Sequence, residues 1–278
     1  MANYKSKIRL EVITMQDNVY IYNYSRWESL AQAKALFTRP KLDLTPDSAR
    51  EYLGLARLGI DPAGKRVLCL ASGGGQQSAA FALLGADVTV FDLSPSQLER
   101  DQAAADHYGV TIRTQQGDMR DLSCFEASSF DLVWQPYSLN FVPDSRVVFE
   151  QVSRILQADG LYYFMCANPF FAGLTHEAWN GEGYTLKHKY EDERTTSYPD
   201  QEWVYDQSAA PRRIEQPVEY TQTLSRMMNA LIKEGFQLVY FGEITSDYPG
   251  SEPGDWGHFT SVAPPWIESV WRYAPSAR

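Results

Sequence analysis

The chain is poor in the features that would place it in several large protein classes. Its 278 residues include only three cysteines, Cys69, Cys124 and Cys166, which are odd in number and widely spaced. They form no CxxC pair and no Cys/His cluster, so neither a disulfide framework nor a zinc site is expected, and no other metal is. A reduced, cytoplasmic setting fits that usage. No run of about 18 apolar residues occurs, so no membrane-spanning helix is expected. Residues 1–20 lack the apolar stretch of a signal peptide. Positive charge is also scarce: Lys and Arg number 25 against 35 Asp and Glu, a formal net charge of −10. Nucleic-acid backbones and anionic lipid surfaces are bound through clustered Lys and Arg, so neither is an expected partner. Internal repeats and low-complexity segments are missing as well.

Apolar residues, at 44%, suffice for a large core, and aromatic residues are in excess: 17 Tyr, 13 Phe and 7 Trp. The order begins to show at residue 66. Arg66–Ala71 is a short apolar run broken by Ser72-Gly73-Gly74-Gly75, and helical spacing follows from Gln76 to Leu84. Val88–Asp92 is a second buried strand ending in an acid. Ser94-Pro95-Ser96-Gln97 then opens a helix to about Gly109, with Ser94 as N-cap and Gln97 closing a capping box. Thr111–Gln115, Phe130–Trp134, Gly160–Ala167, Phe236–Ile244 and Trp266–Tyr273 read as further strands; Asp144–Leu156 and Thr221–Glu234 read as helices. Strands alternating with helices predict an α/β fold, a mostly parallel sheet with helices on both faces.

Two connections are too long for simple loops, 168–217 and 245–264, and they are expected to form lids over the strand ends. Tyr184–Tyr190 alternates, as does part of Arg213–Tyr220, so a small hairpin is predicted there. The first 60 residues carry two helix signals, the capping box Ser25-Arg26-Trp27-Glu28 and a start at Thr45-Pro46 that runs to near Gly59. They are expected to form a helical cover, with residues 61–278 as the main domain.

A glycine-rich turn between a buried strand and a helix lets a ligand approach the backbone closely. As a dinucleotide fingerprint the match is poor, because Gly73-Gly74-Gly75-Gln76-Gln77-Ser78 lacks the third glycine. The ensemble says more. Asp92 stands where its carboxylate can accept bonds from ribose hydroxyls. Asp118 follows the third strand, where an acid can accept an adenine amine and Met119 can pack on the ring. Gln135 follows the fourth strand, and all of these lie at carboxyl ends of strands, where open α/β sheets bind ligands.

In Val67–Gly75, Val88–Asp92, Gly117-Asp118-Met119 and Phe130–Val133 the sequence resembles the class I S-adenosylmethionine-dependent methyltransferases of the small-molecule type. The resemblance is close over about residues 60–167 and topological over 219–273. It implies a Rossmann-like seven-stranded sheet with an antiparallel last strand, here Trp266–Tyr273. It also implies S-adenosyl-L-methionine as cofactor and S-adenosyl-L-homocysteine as product. Gly73 and Gly75 would flank the methionine moiety, Asp92 the ribose, and Asp118 and Met119 the adenine, with Ala71, Ser72, Leu93, Gly117 and Gln135 as further cofactor-binding candidates. Two positions depart from the family pattern. Its usual strand-end acid is Cys69 here, which leaves open what holds the cofactor ammonium. Its first glycine is Ala71, expected to keep to ordinary backbone angles.

Methyl transfer from a sulfonium needs alignment, desolvation and, for a hydroxyl or ammonium acceptor, a base. His176, His188 and His258 fall on loops at the site face. His258, between aromatic residues in Trp256-Gly257-His258-Phe259, is the first candidate for a base, with His176 second. Tyr22, Tyr24, Trp27, Tyr137, His188 and Trp256 are candidate substrate contacts. His107 sits at a helix end away from the site. Asn168-Pro169-Phe170-Phe171 follows the fifth strand and reads as a loop turn, not as an amino-methylation motif. The lids hold much of the negative charge: 168–217 has five basic and nine acidic residues, and 245–264 has three acids and no base. Such a rim would repel a polyanion and admit a neutral or cationic small molecule. The expected activity is therefore methylation at oxygen or nitrogen of a small molecule. A protein methyltransferase, a non-catalytic cofactor-binding regulator suggested by Cys69 and Ala71, and a dehydrogenase stay open.

Overall fold

In the computed structural model the described residues are 18–275, without 172, 173, 175, 187, 203, 209, 211, 212, 246 and 247. The sheet is built from Arg66–Leu70 (β1), Asp87–Asp92 (β2), Ile112–Gln116 (β3), Phe130–Gln135 (β4), Leu156–Ala167 (β5), Phe236–Ile244 (β8) and Trp266–Tyr273 (β9). Its seven strands run in the order β3-β2-β1-β4-β5-β9-β8. The first five neighbours pair in parallel, and β9 enters between β5 and β8 antiparallel to both. The expected Rossmann-like architecture is therefore present, with the last strand reversed.

Side-chain alternation separates two cores, because successive residues of a strand face opposite sides. Leu68, Leu70 and Val133 pack with Val148, Phe149 and Val152 of the helix Ser145–Ile155 (α6) and with Met227 and Leu231 of Leu224–Lys233 (α7). Val67, Cys69, Leu132 and Trp134 pack on the other face with Phe81 of Gln77–Leu83 (α4) and Leu98 of Pro95–Tyr108 (α5). The N-terminal segment joins that second face through Ala49 of Pro46–Tyr52 (α2) and Leu55 and Leu58 of Leu55–Leu58 (α3).

Several local expectations need correction. Ser25 does not start a helix: residues 18–32 (α1) are helical throughout, and the Ser29 hydroxyl bonds back to the Ser25 carbonyl. The helix opened by Thr45 does start there, but it breaks at Gly54, whose φ of 63° is left-handed. Ser94 caps α5 by accepting from the Gln97 amide, yet its own amide goes to Asp92, so no Gln97 side chain closes a box. The small hairpin pairs Thr195–Ser197 (β6) with Val218–Tyr220 (β7), leaving Tyr184–Tyr190 outside it apart from a bridge from Tyr184 to Trp179. Within 245–264, Trp256–Val262 forms a helix (α8), so His258 is helical and not in a loop.

The longer lid and the N-terminal cover share a third core. Leu30 and Ala35 are buried with Val204, Tyr205 and Ile214, and Trp27 packs against them. Both segments thus come together above the carboxyl ends of the strands. The pairing of Ala167 with Trp266 places α8 at that same end of the sheet.

Candidate active site

The turn after β1 is held open by three glycines and one strained alanine. Ala71 has φ of 47°, the left-handed conformation that favours glycine, and its amide donates to the Phe91 carbonyl at 2.7 Å. The expectation of ordinary angles at Ala71 is therefore overturned: tertiary contacts override a penalty of about 1–2 kcal/mol. Gly74 and Gly75 are also left-handed. A Cβ on Gly73 would lie 2.6 Å from the Gln97 Cβ and 3.0 Å from the Asp92 Cγ, and one on Gly75 would lie 2.8 Å from the Arg100 carbonyl oxygen. Ser72 is buried behind the turn, where its hydroxyl donates to the Gln77 side chain at 3.2 Å.

Asp92 is buried at the end of β2. One of its oxygens accepts from the Gly73 amide at 2.8 Å and the other from the Ser94 amide at 2.9 Å, so the carboxylate ties the glycine turn to the start of α5. Burial raises its carboxyl above the usual range, against the opposing pull of those amides. The remaining two glycine amides are also taken: Gly74 donates to Asp101 at 2.9 Å and Gly75 to the same carboxylate at 3.0 Å. Asp101, fully buried on α5, was not legible as a site residue in the sequence. Leu93 is half-buried, and its carbonyl accepts from Gln116 at 3.1 Å.

At the end of β3, Gly117 donates to the Asp92 carbonyl at 3.0 Å, and the Phe91 ring fills the space where a Gly117 side chain would be. Asp118 accepts from the Arg120 backbone and guanidinium at 2.9 Å, an internal partner that sequence reading did not supply. Met119 packs on the core edge, and its sulfur accepts from Gln135 at 3.2 Å. Gln135 is fully buried. Its amide also donates to Ser138 at 3.1 Å, and its oxygen accepts from the Tyr162 hydroxyl at 2.5 Å, so its polar atoms are spent within the protein.

The N-terminal cover lies directly on this turn. The Lys41 amide donates to the Gly75 carbonyl at 3.2 Å, and the Gln76 side chain donates to the carbonyls of Arg39 and Phe37 at 2.7 and 3.1 Å. Arg100 reaches back to the carbonyls of Ala31 and Thr38. Of the predicted contacts on α1, Trp27 meets Phe141 edge-on at 5.6 Å, Tyr24 stacks on Tyr20, and the Tyr22 hydroxyl donates to the Gln216 carbonyl at 2.6 Å.

A second cluster stands beyond β4. The Tyr137 hydroxyl donates to Glu219 at 2.9 Å and the Tyr198 hydroxyl to its other oxygen at 2.5 Å. Glu219 is buried, which pushes its carboxyl up although both tyrosines stabilise the charged form. Burial and the Glu219 charge together push the Tyr137 hydroxyl well above its ordinary value. Nearby, Arg26 forms a two-pronged ion pair with Asp200 at 2.9 and 3.1 Å, joining the cover to the lid. Glu219, Tyr198 and this pair carried no sequence signal, because lid residues far apart in the chain meet only after folding.

The histidines are scattered. The His258 Nδ1 is 2.9 Å from the Tyr184 hydroxyl, and its ring meets Trp179 edge-on at 5.5 Å. Trp256, half-exposed on the same helix, lies beside Phe259 and Trp266. His188 is exposed, and the His176 side chain lies outside the described residues. His107 faces the Leu42 carbonyl at 3.0 Å. Among the described residues no group of His, Cys, Asp and Glu could hold a metal ion.

The residues at the turn fit the cofactor that the resemblance implies. The turn's cradle would be filled by any side chain on Gly73, and the Gln97 Oε1 is buried beside Gly74 with no hydrogen-bond partner. An acceptor left unpaired in that position suits a ligand bearing N–H donors.

Comparison with known proteins agrees with this geometry. Residues 68–164 match the family described as methyltransferase domain. The uncharacterized methyltransferase YbaJ of Bacillus subtilis (strain 168) is 44% identical over 106 residues, covering 38% of this chain and 42% of that protein. A ubiquinone biosynthesis O-methyltransferase of Xanthomonas axonopodis pv. citri is 32% identical over 109 residues, covering 39% and 46%. The chain thus spans less than half the length of these curated relatives. The structure of an S-adenosylmethionine-dependent methyltransferase from Mesorhizobium loti superposes with a TM-score of 0.59 at 22% identity, over 82% of this chain and 99% of that one. At that identity the likeness concerns the fold.

Proposed function

We infer that this chain, a class I S-adenosylmethionine-dependent methyltransferase by its domain and its fold, methylates oxygen or nitrogen of a small molecule. One observation carries the cofactor half of that reading. The amides of Gly73, Gly74 and Gly75 all donate to the buried carboxylates of Asp92 and Asp101. Phosphate-binding turns present free amides to the anion, whereas this turn has spent its amides and has two acids behind it. It favours a phosphate-free, cationic cofactor over a dinucleotide, which argues against the dehydrogenase alternative. Ala71 takes the glycine conformation, so its departure from the family pattern leaves the turn's shape intact. That weakens the case for a non-catalytic regulator.

The acceptor half rests on the roof. The cover segment bonds directly to the turn, and the lid joins it through Trp27 and the Arg26–Asp200 pair. A site roofed by its own chain suits a small acceptor better than a polypeptide, and its acidic lids suit a neutral or cationic one. The bound cofactor would supply an electrophilic methyl group. The chain's residues would align the acceptor in line with it, exclude water and take the acceptor proton. Glu219, poised between Tyr137 and Tyr198, and His258, held by Tyr184, are the two groups suited to that proton. Tyr137 and Trp27 would then contact the acceptor. The cysteines are free, in keeping with a cytoplasmic location. No described helix is long and apolar enough to cross a membrane.

The test is titration calorimetry with S-adenosylhomocysteine followed by incubation of the protein with methyl-labelled cofactor and a host metabolite extract. Binding that is strongly weakened in Asp92→Ala, and label in products about one methylene heavier than their precursors, is the expected result. Label confined to protein would reject the small-molecule acceptor, and a His258→Ala variant with wild-type turnover would leave Glu219 as the base.

A further inference from the structure

Asp101 has an unusual set of partners for a fully buried acid. Its Oδ2 accepts from the Gly74 amide at 2.9 Å, and its Oδ1 accepts from the Gly75 amide at 3.0 Å and from the Ser78 hydroxyl. All three are donors, and among the described residues no cation pairs with it. The two amides belong to successive left-handed glycines, with φ of 122° and 76°. Each oxygen therefore latches one residue of the turn, and Ser78 latches the acid to α4.

We propose that Asp101 is the positioning residue of the cofactor turn, and that its ionised form is required, so that cofactor affinity follows its protonation. The proposal rests on the reading of this turn as the S-adenosylmethionine site. The ionised acid accepts from all three donors at once, whereas a proton on Oδ2 displaces the Gly74 amide and one on Oδ1 forces the Ser78 hydroxyl to give up its donation. Protonation therefore loosens the latch on a turn that must keep two left-handed residues in place.

The surroundings put this proton within reach of physiological pH. Burial raises the Asp101 carboxyl to about 7, with Asp92 adding to the rise and the Ser78, Gly74 and Gly75 donors opposing it. The titratable groups facing it are few. From β1 comes the buried Cys69 thiol, which burial and the Asp101 charge keep neutral; from the end of β2 comes Asp92. On its own helix Arg100 turns away to the carbonyls of Ala31 and Thr38, and from the N-terminal segment the Lys41 ammonium turns to Asp43 at 3.3 Å. A cation arriving with the cofactor would favour the ionised acid, so binding would release a proton.

The experiment is calorimetric titration of the whole chain with S-adenosylhomocysteine from pH 5.5 to 8.5, for the wild type, Asp101→Asn and Ser78→Ala, with folding checked by circular dichroism. Wild-type affinity should fall about thirtyfold from the alkaline to the acid end. Asp101→Asn should bind about tenfold more weakly at pH 8.5, since an amide can accept from only one of the glycines, and its profile should flatten. Ser78→Ala, which removes a donor to the charged form, should move the midpoint to higher pH, a shift that loss of packing alone would not produce. Wild-type affinity and profile in Asp101→Asn, or an unmoved midpoint in Ser78→Ala, would overturn the proposal while leaving the cofactor reading intact. Failure of the wild type to bind at any pH would overturn both.

Discussion

The Glu28 carboxylate accepts from the Ser94 hydroxyl at 2.7 Å, although the two residues are 66 positions apart. It also accepts from the Ser96 amide at 3.3 Å and from the Ser96 hydroxyl. An acid from the cover helix thus sits at the N-terminus of α5, where the helix dipole favours negative charge. Ser94 is also the residue whose amide bonds Asp92, so the clasp reaches the glycine turn in one step. The cover is in this way part of the site's structure as well as its roof.

Glu28→Gln should therefore cost about 1–2 kcal/mol, the difference between charged and neutral acceptors for three donors. It should weaken S-adenosylhomocysteine binding as well, because the start of α5 positions Asp92. Denaturant unfolding and calorimetry measure the two effects. A variant as stable and as tightly binding as wild type would mean the clasp is only a surface contact.

Ala71→Gly should reverse the usual sign of an alanine-to-glycine change. Glycine in an ordinary position costs about 0.5–1 kcal/mol through backbone entropy, but at φ of 47° it removes a strain of about 1–2 kcal/mol. The net expectation is unchanged or higher stability, with the Ala71 amide still bonded to Phe91. A clear fall in the unfolding midpoint would show that the alanine methyl contributes packing that outweighs its strain.

The sheet was legible from residue 66 onward because buried strands and capped helices write their signals locally: β8 and β9 match their expected bounds, and Ser94-Pro95 and Thr45-Pro46 open helices as read. The turn and Asp92 were legible for the same reason. The supporting acids were not. Asp101 reads as one of several polar residues on a helix, and its role appears only when α5 packs behind the turn. Glu28 shows the opposite failure: its spacing from Ser25 mimics a capping box, while its carboxylate serves another helix. The lids misled most, since Tyr184–Tyr190 alternates without pairing with β7, whose partner is Thr195–Ser197.

Gln97→Leu should separate stability from binding. The Gln97 Oε1 is buried without a partner, and an unsatisfied buried acceptor costs about 1–3 kcal/mol. Replacing it with an apolar side chain should leave the ligand-free protein as stable or more so. If that oxygen accepts a donor from the cofactor, the same change should lower affinity about tenfold, the worth of one hydrogen bond in a desolvated site. Opposite signs in unfolding and calorimetry are the expected pattern. Equal affinity would remove Gln97 from the list of cofactor contacts.

Glu219 gives a pH test of the cluster it forms with Tyr137 and Tyr198. Burial raises its carboxyl above its ordinary value of 4.5, against the tyrosine donors, so between that value and the raised one the folded protein holds a proton the unfolded chain has lost. Its contribution to stability is therefore present in full below the ordinary value and is lost as pH rises through the raised one. Glu219→Gln keeps a group that can accept from one tyrosine and donate to the other, and it cannot ionise. Its stability relative to wild type should accordingly grow from pH 4 to pH 8, and taking the difference cancels the parallel behaviour of Asp92 and Asp101. Tyr137→Phe removes one donor to the charged form and should push the Glu219 carboxyl further up, moving the window to higher pH. Chemical denaturation across that range measures both. A Glu219→Gln gap that stays constant with pH would mean that the tyrosine donors offset its burial and leave its carboxyl unshifted by folding.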